Sequence, residues 1–161
     1  MQKTSETGFE PVYNEKSRVL ILGSFPSVKS RKIAFYYGNE RNRFWATLAQ
    51  YFGREIPKTT QEKRAFVLEK GIALWDIVTS CEIDGSKDSS ISGERLADVP
   101  ALLRKTEIRE IFCNGKKAYE LTVGAYPALA PLLRVLPSTS PANPRFAKEI
   151  WFAALDEAFT K

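Results

Sequence analysis

Histidine is missing from all 161 residues of the chain. Its absence excludes a Ser–His–Asp triad, a Cys–His pair and any imidazole metal ligand. Chemistry here has to run on carboxylates, amides, hydroxyls, lysine or backbone dipoles. Cysteine is scarce as well. Cys81 and Cys113 are far apart and outside any CxxC pair, so they form neither a disulfide framework nor a zinc or iron–sulfur signature. No carboxylate pair stands at metal-ligand spacing, which argues against a two-metal nuclease and predicts no metal. Apolar runs stay well short of the roughly 20 residues of a membrane span. The N-terminal MQKTSETGFEPVYNEKS lacks the apolar core of a signal peptide. These absences predict a cytoplasmic protein without membrane association.

What is present is ordinary in bulk. With 43% hydrophobic and 27% charged residues and no biased tract, the composition is that of a globular protein. The length predicts one domain spanning 1–161. Lys plus Arg number 24 against 19 for Asp plus Glu, a net charge of +5. That excess favours an anionic partner such as nucleic acid, although it also serves plain solubility.

The local pattern alternates strand and helix. RVLILG (18–23), IALWDIV (72–78), IREIFCN (108–114) and LLRVLP (132–137) read as buried strands. NRFWATLAQYF (42–52) reads as a helix with Asn42 as N-cap and Gly53 as stop. TTQEKRAFVLEKG (59–71) opens on a capping box with Glu62. ERLADVPALLRKT (94–106) reads as a helix interrupted or restarted at Pro100, and GKKAYELTVG (115–124) and RFAKEIWFAALDEAF (145–159) complete the helices. The stretch TSCEIDGSKDSSISG (79–93) reads as a long polar loop. Alternation of this kind predicts a central, mostly parallel sheet covered on both faces. In such folds the ligand lies beyond the carboxyl ends of the strands. GSFPS (23–27), the basic segment after it, TSCEIDGSKDSS, NGKK and PSTSPANP (137–144) all fall on that one edge.

Each of these loops has a functional and a bland reading. In GSFPS, Gly23 permits tight backbone geometry, and the amides of Ser24 and Phe25 can face a polar ligand, or the stretch is an ordinary turn. It is no Walker loop, because the lysine is missing. In KSRKIAFYYGNERNRFW, Lys29, Arg31, Lys32, Arg41 and Arg43 surround Phe35, Tyr36 and Tyr37. Charge that meets phosphates, interleaved with rings that stack on an unpaired base, suits nucleic acid; a surface loop with inward aromatics is the alternative. Asn39 and Asn42 can hold a water or read a base edge, or Asn42 simply caps its helix. Lys116 and Lys117 open a helix where amides and lysine bind phosphate, unless they are merely solvated. PSTSPANP is a stiff, hydroxyl-rich loop fit to grip a backbone, or a connector with Asn143 as a cap. Asp76 closes the second strand, and Asp84 and Asp88 follow it; an aspartate at such a strand end hints at function.

Together, FEPVYNEKSRVLILGSFPS, YYGNERNRFW, ALWDIVTSCEIDGSKDSSI, IFCNGKKAYE and LPSTSPANP resemble the uracil-DNA glycosylase superfamily, in its order and over nearly the whole chain. The hypoxanthine-DNA (deoxyinosine) glycosylase branch is the most similar. The resemblance implies a three-layer α/β/α sandwich with a four-stranded, mostly parallel sheet. It implies a monofunctional glycosylase that flips a deaminated base, hypoxanthine first, out of DNA and leaves an abasic site. GSFPS is similar to the motif in which relatives carry a water-activating Asp or Asn, but Phe25 stands at that position. The resemblance passes that role to Asn39 of YYGN and makes Tyr37 the ring that stacks on the base. It assigns LPSTSPANP to the minor groove, with Ser138 where uracil-specific relatives carry histidine and Ala142 at the wedge. Ser140 and Asn143 belong to the same DNA-facing loop, and Arg41, Arg43 and Lys116 to phosphates.

The chemistry works without histidine. Cleavage through an oxocarbenium-like sugar leaves negative charge on the base. Amides at Ser24 and Phe25 and polar groups near Asp76 stabilise that charge in a dry pocket. Asn39 then only orients a weak nucleophile. Substrate contacts are expected from Gly23, Ser24, Phe25, Tyr37 and Asp76, on double-stranded or alternatively single-stranded DNA, by a monomer with no cofactor. Three rivals remain: a mismatch uracil or thymine glycosylase of the same superfamily, a non-catalytic binder of damaged or single-stranded DNA, and a hydrolase of free deoxynucleosides, for which the basic, aromatic loop is superfluous.

Overall fold

The computed structural model describes residues 4–25, 35–83 and 92–160. Pro26, Ser27, Lys29, Arg31 and Lys32, and Asp84, Asp88 and Ser90 of the polar loop, lie outside the described residues.

Two sheets organise the chain. Strands β1 (Thr4–Thr7), β2 (Val19–Gly23), β3 (Ile72–Asp76), β4 (Val78–Ile83), β5 (Ser92–Leu96), β6 (Glu110–Asn114) and β7 (Leu133–Leu136) are joined by helices. The helices are α1 (Phe44–Phe52), α2 (Thr60–Glu69), α3 (Val99–Arg104), α4 (Lys116–Ala125) and α5 (Lys148–Phe159), and a 3-10 turn covers Pro127–Leu132. The central sheet runs β3-β2-β6-β7 with every pairing parallel. This is the expected four-stranded parallel sheet.

Its strands are continuously apolar because both faces are covered. Val19, Ile21, Ile72, Leu74, Phe112 and Leu136 pack on one side with Phe44, Trp45 and Leu48 of α1, Phe66 and Val67 of α2, and Trp151 and Leu155 of α5. Leu20, Leu22, Ala73, Ile111 and Cys113 pack on the other with Val99 and Leu102 of α3 and Ala118 of α4. Odd and even positions of one strand thus belong to different cores, giving a three-layer sandwich. No helix among the described residues is long and apolar enough to cross a membrane.

The structure corrects the local reading in three places. The segment 72–78 is not one strand. It breaks at Ile77, whose amide donates to the Gly23 carbonyl (2.8 Å), and restarts as β4. Residues 79–83 of the expected polar loop belong to strand β4, and its last two residues with the start of the expected helix at 94 form strand β5. They pair antiparallel with each other and, through β4, with β1 in a second, three-stranded sheet. The partner of β4 on one side is the chain's N-terminus, so this pairing has no local signature. Helix α3 starts only at Val99, capped by the Asp98 carboxylate accepting from Ala101 N (3.1 Å). Pro100 sits in the first turn, where no N–H is missed, and interrupts nothing.

The helix ends mostly obey the sequence. Thr59 caps α2 by accepting from Glu62 N (3.0 Å), while the Glu62 carboxylate accepts from Lys58 N (3.0 Å). Gly53 ends α1 in the left-handed region. The N-cap position of α1 falls on Arg43 rather than Asn42, but the Asn42 Oδ1 still accepts from Phe44 N (2.9 Å).

Candidate active site

The parallel strands end together, and the chain leaves β2 toward β3 on one side and reaches β7 from β6 on the other. The crevice at that reversal is where such sheets bind ligands. A cavity of about 360 Å³ opens there. Gly23 closes β2, Asp76 closes β3, Asn114 closes β6, and Ser138, Thr139 and Ser140 follow β7. Phe25, Tyr36, Tyr37, Asn39, Asn42, Lys116 and Lys117 complete the wall with Ser24, Gly115 and Pro141.

Gly23 and Asp76 are register partners across β2 and β3. A Cβ on residue 23 would stand 2.5 Å from Asp76 Oδ1 and 3.1 Å from the Tyr37 hydroxyl. Glycine is therefore required for both polar groups to gather at this strand end. The Asp76 carboxyl is buried, and its Oδ2 has no hydrogen-bond partner among the described residues; the Tyr37 hydroxyl is buried as well, beside the Asn114 amide. Burial pushes the Asp76 carboxyl up from 3.8 to about 7. Burial, followed by the adjacent Asp76, pushes the Tyr36 and Tyr37 phenols up, so both remain protonated donors.

Tyr37 is held in an uncommon backbone conformation, with φ at +52°. A non-glycine residue pays for the left-handed region and occupies it only when its surroundings dictate it. Several contacts do so. The Tyr36 hydroxyl donates to the carbonyls of Phe9 (3.1 Å) and Glu10 (2.9 Å). Trp45 Nε1 donates to the Tyr36 carbonyl (3.0 Å), and the Tyr37 ring stacks on Phe44 with centroids 4.2 Å apart. The aromatics of YYGNERNRFW thus brace the segment that presents Tyr37 and Asn39. Asn39 is half-buried at the cavity wall, and its Oδ1 accepts from Arg41 N (3.0 Å).

The 137–144 loop is pinned from three directions. The Asn114 amide pairs with Thr139 twice: Nδ2 donates to Thr139 Oγ1 and Oδ1 accepts from Thr139 N, both at 3.0 Å. Trp151 Nε1 donates to the Pro137 carbonyl (2.8 Å). Arg43 Nη2 donates to the carbonyls of Ser140 (2.5 Å) and Asn143 (2.7 Å), while its guanidinium lies over the Phe146 ring, 4.6 Å from the centroid. Within the loop, Ser138 Oγ accepts from Ser140 N (3.2 Å) and Asn143 Nδ2 donates to the Ser138 carbonyl (2.9 Å). Gly115, at φ +101°, lets Ser138 approach so closely that a Cβ there would meet its Cβ at 3.2 Å.

Of the residues singled out from the sequence, Gly23, Ser24, Phe25, Tyr37, Asn39, Asp76, Lys116, Ser138 and Ser140 come together around the cavity. Arg41 and Ala142 are exposed and stand off its wall, and Asn143 lies outside it as well. Arg43 reaches inward to the loop carbonyls, so its guanidinium is engaged with the protein. Asn114 and Thr139 were not foreseen. Asn114 carries the same positional signal as Asp76, a short polar side chain closing a parallel strand, and Thr139 is visible only through its partner. Among the described residues, no group of three or more Cys, Asp or Glu is placed to hold a metal ion.

Comparison with known proteins places this arrangement among relatives. The Uracil DNA glycosylase superfamily profile matches residues 10–156. A protein of Methanosarcina acetivorans named hypoxanthine DNA glycosylase is 37% identical over 150 residues, covering 88% of this chain and 90% of the relative. A protein of the same name from Methanosarcina barkeri is 31% identical over 143 residues, again with 88% and 90% covered. The solution NMR structure of a candidate uracil DNA glycosylase from Methanosarcina acetivorans superimposes with a TM-score of 0.83 at 32% identity, over 96% of this chain and 99% of that one.

Proposed function

Because the chain belongs to the uracil DNA glycosylase superfamily, we propose that it releases hypoxanthine from deoxyinosine in double-stranded DNA and leaves an abasic site. As a DNA glycosylase it is a hydrolase of N-glycosyl bonds. The observation that carries the finer reading is a cavity in which the buried Asp76 carboxyl, its Oδ2 without a partner among the described residues, stands with Tyr37 and Asn39. A site of this kind suits a flat heterocycle with hydrogen-bonding edges, drawn out of the helix at a cost of a few kcal/mol. The names of the two Methanosarcina relatives support hypoxanthine as that base.

In this reading the base rests against Tyr37, which Phe44 backs. Asn39, fixed by the Arg41 amide, orients the water that attacks the sugar carbon. The amides of Ser24 and Phe25 face the departing base, whose charge they stabilise best in a site closed to bulk water. Lys116, Ser138, Ser140, Ala142 and Asn143 meet the DNA backbone and groove, with Arg41 on nearby phosphates. Arg43 contributes by shaping the 137–144 loop. The protein works as a monomer in the cytoplasm, spanning 1–161 as one domain. Hydrolysis in a single step without a Schiff base is the expected course: among the described residues, the lysines of the cavity wall, Lys116 and Lys117, are exposed at its rim.

Single-turnover cleavage of duplexes carrying one deoxyinosine, deoxyuridine or deoxyxanthosine, developed with alkali, tests the reading. Inosine cleavage is expected from the wild type, with a loss of about 10²-fold or more in Asn39→Ala and unchanged DNA binding. Rapid uracil release with inosine untouched would overturn the base assignment. Binding without release of any base would favour the non-catalytic alternative.

A further inference from the structure

The Asp76 carboxyl has no task in the steps just described beyond lining the pocket, yet it is the most unusual group there. It is the one carboxylic acid among the described residues of the cavity wall. Its Oδ2 is buried without a partner among the described residues, and its Oδ1 occupies the space that a Cβ on residue 23 would claim. Unsatisfied polar atoms are rare in protein interiors and call for an explanation, one of which is a partner that arrives with the substrate. The titratable groups beside it among the described residues are the Tyr36 and Tyr37 phenols; Tyr37 in turn neighbours the Asn114 amide and the Cys113 thiol, which burial keeps protonated by pushing it up to about 12. Lys116 and Lys117 are at the exposed rim, and no ion pair to Asp76 exists among the described residues. A carboxyl so placed rises to about 7 and keeps its proton near neutrality. With no histidine in the chain, it is the group best suited to acid catalysis at that pH.

A purine offers a task that a pyrimidine does not. Its N7 accepts a proton, and protonation there turns N9 into a far better leaving group. We propose that Asp76 is a catalytic general acid that gives its carboxyl proton to N7 of the extruded purine as the glycosidic bond breaks. The C1′–N9 electron pair passes into the imidazole ring, and hypoxanthine leaves as the neutral N7–H tautomer. Water adds to the oxocarbenium carbon and loses a proton, which restores the Asp76 carboxylate to the acid. The sum is one water consumed, one base and one abasic sugar formed. Tyr37, a donor beside the carboxyl, steadies the transient carboxylate. This assignment rests on the reading of the site as a hypoxanthine glycosylase.

The test compares duplexes carrying deoxyinosine and 7-deazadeoxyinosine, which lacks N7, with the wild-type full-length chain and Asp76→Asn, under single turnover from pH 5.5 to 8.5. For wild type, inosine release falls as pH rises through neutrality, and the 7-deaza base is released about 10²–10⁴-fold more slowly. Asp76→Asn loses a similar factor on inosine, has a flat pH profile, and loses little further on the 7-deaza base. Equal release of the two bases by wild type overturns the proposal, as does a folded Asp76→Asn enzyme with wild-type inosine cleavage. If the variant does not fold, the 7-deaza comparison and the wild-type pH profile decide by themselves. Failure of wild type to release hypoxanthine at all instead removes the functional reading beneath it.

Discussion

The buried carboxyl of Asp76 ties the stability of the protein to pH in a direction opposite to that of most aspartates. In the unfolded chain this group titrates near 3.8, and in the fold burial raises it to about 7. The native state therefore binds more protons than the unfolded state between these values, so stability falls as pH rises through that window. The stability linked to the proton is fully present below about 4 and lost above about 7. At 1.36 kcal/mol for each tenfold change, the interval corresponds to about 4 kcal/mol, a large share of the 5–15 kcal/mol typical of a domain. Asp76→Asn has nearly the same shape and no charge to bury. It should match wild type within about 1 kcal/mol near pH 4.5 and exceed it by about 3–4 kcal/mol at pH 8.5. Urea unfolding of both proteins across this range measures the difference directly, with the m-value as a check that the unfolding transition is otherwise the same. A difference independent of pH, or one that grows toward acid, would refute the inference that burial raises the Asp76 carboxyl.

Other consequences follow from the same geometry. Gly23→Ala drives a methyl to 2.5 Å from Asp76 Oδ1; thermal or urea melts should show a loss of about 1–3 kcal/mol, and base release should fall with it. Arg43→Lys cannot reproduce the bond pair to Ser140 and Asn143 or the stack on Phe146. It should cost at least about 2 kcal/mol yet leave the salt dependence of DNA binding unchanged. Arg41→Ala should do the reverse, leaving stability intact and lowering the slope of log K against log salt by about one. Thr59→Ala removes only the α2 cap and should lower stability by about 1 kcal/mol with unaltered single-turnover rates.

The strands of the central sheet were legible because each is a short, continuously apolar run closed by a polar residue or glycine, and burial on both faces demands that pattern. The alternation with helices placed Gly23, Asp76, NGKK and PSTSPANP on one edge, and the cavity lies there. The second sheet was not legible. β4 and β5 carry serine, threonine, glycine and charge, and β4 pairs with residues 4–7, more than seventy positions earlier. Local sequence holds no record of such a partner. The 94–98 segment was misread for the same reason, since leucine and alanine near Pro100 favour a helix until strand pairing overrides them.

Within the site the division is similar. Sequence alone determined which chemistry was unavailable, since a chain without histidine has no imidazole wherever it folds. It also determined that an amide, two tyrosines and a strand-end aspartate gather near one loop cluster. Only the tertiary structure decided what each of them is. Tyr37 takes the left-handed backbone beside a glycine that would adopt it more cheaply, because Phe44, Trp45 and the Tyr36 contacts hold it there. Arg43 looks in sequence like any other basic residue of a DNA-facing loop, but the carbonyls that bind its guanidinium lie about a hundred residues away. Asp76 changes most: identity makes it an acid, while burial at the strand end, in the space that Gly23 leaves open, raises its carboxyl to about 7. Protonation state, backbone strain and the direction of a long side chain all depend on neighbours distant in sequence, and packing alone brings those neighbours together.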